Sequence, residues 1–194
     1  MTSGQKSSRQ LSTGRQVTRV RPGRFGEIGI SAWVLARGGG RLARTEPMNL
    51  FRVLGRNKGL FRGWLHFAAR LMPFGTLPRA ESELVILRVA ALRGSDYELR
   101  QHRRIARGAG LSRERIAAVE SESADGDWTD RQRAILAAVD QLVLTRDVDD
   151  ATWAAVAEHL DDRQLVELVL LAGHYDMLAA AIRALRIQPE VPSP

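Results

Sequence analysis

With 194 residues and 21.5 kDa the chain has the length of one domain, and at 44% hydrophobic residues it can bury a substantial core. It contains no cysteine, which excludes disulfide scaffolds, thiolate metal sites, iron–sulfur clusters and any thiol nucleophile or thiol redox couple. The net charge of +7 sits at one end: residues 1–45 carry nine basic side chains and one acid, while the other 149 residues set 20 bases against 21 acids.

Residues 1–24 are rich in Ser, Thr, Gly, Gln and Arg without an apolar period, and read as a disordered basic extension. The segment has no apolar stretch of the secretory kind, although its Arg- and Ser-rich, acid-poor composition is also that of organellar transit peptides. From residue 25 to 194 the pattern is that of a single all-helical domain. A short helix over Ile28–Leu35 should close at Gly38-Gly39-Gly40. Helices near Met48–Leu54 and Leu60–Met72 follow, with Asn57–Gly59 as the turn between them. Pro78 suits the first turn of the next helix, and Glu81 and Glu83 favour its N-terminal end.

That helix holds Leu84-Val85-Ile86-Leu87-Arg88-Val89-Ala90-Ala91-Leu92, apolar nearly all round, and should be central. A buried strand has the same signature, but the alanines and the lack of any other strand-like run favour helix. Gly94 punctuates the chain before a helix over Tyr97–Ala109. Ser112 caps a short helix to Val119, and Thr129 with Gln132 forms a capping box for Asp130–Leu144. Asp149 and Asp161 cap the last two helices, Ala151–Leu160 and Asp162–Ile187. No run approaches about 18 uninterrupted apolar residues, so no transmembrane helix is expected.

Ser95, Glu98 and His102 fall at i, i+3 and i+7, on one face of a helix. A carboxylate four residues from an imidazole can raise its basicity and support proton transfer. On most helices such a pair is only a solvated contact. Glu83, at the start of the most apolar helix, reads on its own as a favourable dipole charge, and His174 as a hydrogen-bonded core histidine. Trp64 reads as packing.

Taken together, Glu83-Leu-Val-Ile-Leu-Arg-Val-Ala, Tyr97-Glu98-x-x-x-His102 and Gly173-His174-Tyr175-x-Met177-Leu178 resemble the carboxymuconolactone decarboxylase family, whose alkylhydroperoxidase D-like members share its core. In the latter pattern a Glu precedes the first Cys of a Cys-x-x-Cys by twelve residues, and a His follows the second by four. Glu83 here is twelve before Ser95, and His102 four after Glu98, so the frame is kept while both cysteines are replaced. The resemblance implies an all-α, compact helical bundle of that type, with the proton-relay half of the site retained and the thiol peroxidase half lost.

The expected function is a cysteine-independent acid/base lyase or isomerase acting on a small organic molecule, with or without a carboxylate. His102 is the expected general acid/base, Glu98 orients or charges it, and Glu83 completes the relay. Ser95, Tyr97, His174 and Tyr175 line the pocket, and Arg88 or Arg104 holds a substrate carboxylate. The competing reading is a non-catalytic helical oligomer that binds a ligand or partner. No cofactor is expected, and the four histidines lack metal spacing. A homo-oligomer, a trimer or its multiple or a dimer, is implied by the resemblance, in the cytoplasm and away from membranes. Nucleic acid is not expected as a partner, since the basic segment has no aromatic residue before Phe25.

Overall fold

The computed structural model describes residues 18–43, 46–121 and 126–191. Among them the secondary structure is helical throughout: α1 (Phe25–Ala43), α2 (Asn49–Leu54), α3 (Lys58–Leu71), α4 (Arg79–Leu92), α5 (Asp96–Gly108), α6 (Arg113–Glu120), α7 (Asp130–Thr145), α8 (Asp150–Ala157) and α9 (Asp162–Leu185). Four of the starts are set by the caps read from sequence. Ser112, Asp149 and Asp161 each accept from a backbone N–H three residues on, and Thr129 and Gln132 form the reciprocal capping box.

The all-round apolar helix is α4, and it occupies the centre. Every residue from Glu81 to Ala90 is buried, and α5, α6, α7 and α9 pack around it. Its two sides feed two cores. Val85, Ile86 and Val89 join residues of α7 and α9, whereas Leu84, Leu87 and Ala90 join Leu99, Ala106, Val119 and Trp128. A helix buried on all sides cannot rely on one apolar stripe, which is why its polar residues must each find a partner inside. By length and composition α9 could also cross a membrane, but more than half of its most apolar stretch is buried within the fold.

Two expectations are corrected. The three glycines do not end the first helix, which runs on to Ala43 and is interrupted instead at Gly29, where φ is 79°. Gly39 and Gly40 serve close approach: a Cβ on Gly40 would lie 2.5 Å from the Glu46 carbonyl oxygen, where the chain folds back and Met48 N donates to Ala36 O at 3.0 Å. The expected disordered extension falls, for residues 1–17, outside the described residues. Residues 18–24, however, are tied to the body. Arg19 N donates to Leu185 O, its guanidinium to Ala184 O, and Gly23 N to Arg52 O.

Candidate active site

Gly94, with φ at 60°, turns the chain between α4 and α5 so that the two helices run back along one another. The reversal brings Glu83 of α4 to His102 of α5. His102 Nδ1 lies 2.8 Å from Glu83 Oε2, and the Glu83 side chain is fully buried. A carboxylate there accepts from an Nδ1–H tautomer, in which Nε2 is the ring nitrogen turned away from the contact. The other Glu83 oxygen lies 2.9 Å from Arg79, one turn earlier on α4. The ring of Tyr175, from α9, stands edge-on to His102 at 5.1 Å.

Glu98 is buried too, at 2% exposure, with the buried Ser95 hydroxyl as its polar neighbour and no cation paired with it among the described residues. Burial pushes the Glu98 carboxyl up to about 7; the neighbouring Ser95 pulls it down and the charge of Asp176 adds to the rise. A carboxyl poised there can give or take a proton at neutral pH. The contact therefore differs from the expected one. Glu83 across the helix pair, rather than Glu98 on the same helix, meets His102.

Tyr175 carries no hydrogen bond among the described residues, and burial, with the charges of Glu83 and Glu98 behind it, pushes its phenol far above the ordinary range. It stays a neutral O–H donor. His174 points elsewhere: it stacks on Trp64 at 5.8 Å and meets Phe67 edge-on, and burial pulls it down to about 4, so it is neutral near pH 7. It lines an apolar cleft of about 420 Å³ with Phe67, Leu142, Val143, Leu170 and Met177.

Two candidates are spent on structure. The Tyr97 hydroxyl donates to Glu190 at 2.6 Å and accepts from Leu50 N, pinning the C-terminal segment to α2 and α5. Arg88 is 2% exposed and bound by both guanidinium edges: Nε and Nη2 to Asp140 at 2.5 and 2.7 Å, Nη1 to the carbonyls of Val119 and Ser121. It holds α7 and the end of α6 to α4 and has no fork left for a substrate. Arg79 was missed, though its place four residues before Glu83 is the ordinary helical ion-pair spacing. Asp176, which joins Arg93 and Arg146, has no local signal because its partners are distant in sequence.

These features define a helical protein of alkylhydroperoxidase D-like fold with a buried Glu83–His102 contact and no cysteine. Residues 58–141, which contain Glu83, Ser95, Glu98 and His102, match the carboxymuconolactone decarboxylase family, and the chain has no cysteine in that stretch or elsewhere. Among solved structures it is similar to the alkylhydroperoxidase AhpD core of an uncharacterized peroxidase-related protein from Ralstonia eutropha JMP134, at 18% identity and a TM-score of 0.78 over 90% of this chain and 93% of that one. It is also similar to the debrominase Bmp8 in complex with 2,3,4-tribromopyrrole, at 15% identity and a TM-score of 0.75 over 92% and 95%. An uncharacterized peroxidase-related protein from Silicibacter sp. TM1040 has 16% identity and a TM-score of 0.69 over 74% and 77%. At these identities the likeness concerns the fold. No curated protein matches the chain by sequence.

Proposed function

We propose that this chain is a cysteine-independent acid/base catalyst, a lyase or isomerase, working on a small organic molecule. The observation that carries the reading is the buried contact of Glu83 with His102 at 2.8 Å, with a second buried carboxyl, Glu98, on the same helix as His102. A purely structural core gains nothing from a carboxyl whose burial outweighs the support of its neighbouring hydroxyl.

The chemistry follows from the groups. His102 Nε2 removes a proton from a carbon next to a carbonyl, and the electron pair of the broken C–H bond moves into an enolate. Protonated Glu98 then returns a proton at another carbon, which completes an isomerisation. In a decarboxylation the bond to the leaving carboxylate breaks instead, CO₂ departs, and the carbon takes its proton from Glu98 or His102. The neutral Tyr175 hydroxyl is the donor suited to hold the enolate oxygen. Thiol-dependent hydroperoxide reduction is outside the reach of this chain, which has no sulfur nucleophile.

The test is proton NMR in D₂O with a panel of small 3-oxo acids and unsaturated lactones. Wild type is expected to exchange, isomerise or decarboxylate a member of the panel. His102→Ala should remove the activity and Glu98→Gln should slow it by about 10²-fold or more. Equal rates in wild type and both variants would refute the proposal.

The binding-protein reading has its own support in the apolar side chains left exposed on α9 and α3. Val166 is 60% exposed and Met177 54%, with Leu170 and Phe67 beside them. A contiguous apolar surface of this kind favours self-association, so a homo-oligomer belongs to either reading.

A further inference from the structure

A cleft of about 440 Å³ lies between the start of α5 and the C-terminal end of α9, away from the apolar cleft beside His174. Its basic side chains come from two walls: Arg93 at the end of α4 and Arg100 of α5 on one, Arg183 and Arg186 at the end of α9 on the other. Arg93 is already bound to Asp176. Arg100, Arg183 and Arg186 have no carboxylate partner among the described residues, and Asp96 is the one acid in the lining. Three guanidinium charges against one carboxylate leave an excess of +2.

A second observation points the same way. Ser95, the N-cap of α5, lines the cleft. The cap makes no side-chain bond to its own helix, so the positive end of the α5 dipole lacks the usual internal acceptor. A cavity with forked cations on two walls and a helix N-terminus matches a doubly charged, three-oxygen anion better than a planar monocarboxylate. A phosphate monoester carries about −1.5 to −2 at neutral pH, which equals the excess.

We propose that this cleft binds the phosphate group of a small phosphorylated molecule, or phosphate itself. The binding stands whether or not Glu98 and His102 turn anything over, because none of the arginines takes part in that relay.

Titration calorimetry of the full chain, in phosphate-free buffer at neutral pH and fixed ionic strength, separates the outcomes. Inorganic phosphate, glycerol 3-phosphate and succinate are the three probes. At least one phosphate probe should bind saturably and more tightly than succinate, and the tighter of the two tells free phosphate from an ester. Arg100→Gln and Arg183→Gln, both exposed side chains, should each weaken that binding about fivefold or more, while Arg62→Gln on α3 leaves it unchanged. No saturable phosphate binding, equal binding of succinate, or equal effects of all three substitutions would overturn the proposal.

Discussion

Asp140→Ala is expected to destabilise the fold by about 1.5–3 kcal/mol, the scale of a lost hydrogen bond to a charged group. Only 3% of the Arg88 side chain is accessible, against 30% for Asp140, so the pair is buried on the arginine side and open to solvent on the other. The carbonyls of Val119 and Ser121 still accept from Arg88. In thermal unfolding this amounts to a drop of about 3–12 °C for a chain of this size. Asp130→Ala, on the same helix, is the control. The Asp130–Arg133 pair is exposed on both sides and should contribute under about 1 kcal/mol. Equal effects of the two substitutions would mean that Arg88 finds water or another anion.

Glu98→Gln is expected to stabilise the protein, and increasingly so as the pH rises. The Glu98 carboxyl sits near 7 in the fold against an ordinary value of 4.5. Between those values the folded chain keeps the proton that the unfolded chain has released, so wild-type stability falls as the pH rises through that window. The loss accumulates to about 3 kcal/mol above pH 7, while a neutral glutamine loses nothing. Chemical denaturation at acid and mildly alkaline pH should therefore give nearly equal stabilities at about pH 4 and a gap of about 3 kcal/mol at about pH 8. A constant gap would place the charge of Glu98 in contact with solvent or a cation. A side chain that weakens the fold near neutral pH is the kind kept for chemistry rather than for packing.

The helices were legible because their signals are local. Caps at Ser112, Thr129, Asp149 and Asp161 read directly from side-chain chemistry, and α4 from a run of apolar residues too continuous for one face. Gly38-Gly39-Gly40 misled because a glycine run lowers helix propensity, whereas here the tertiary approach of residues 46–48 needs the missing side chains. In the site, Glu83, Ser95, Glu98 and His102 were legible as a spacing frame, and Gly94 as the turn that brings Glu83 across to His102, but not which of the two carboxylates bonds the imidazole. Spacing on one helix put Glu98 beside it; the packing of α4 on α5 gave that place to Glu83. Arg88 illustrates the same loss of information, since an arginine in an apolar run reads as a ligand hook until Asp140, fifty-two residues away, is seen to hold it.

Carbon-13 NMR of the glutamate side-chain carboxyls, with Glu98 assigned by its disappearance in Glu98→Gln, tests most directly whether the site is an acid/base centre. The carboxyl shift of Glu98 should titrate with a midpoint near 7, well apart from the exposed glutamates. A midpoint at the ordinary 4.5 would make Glu98 a plain anion at neutral pH and contradict the reading of this pocket as a proton-transfer site.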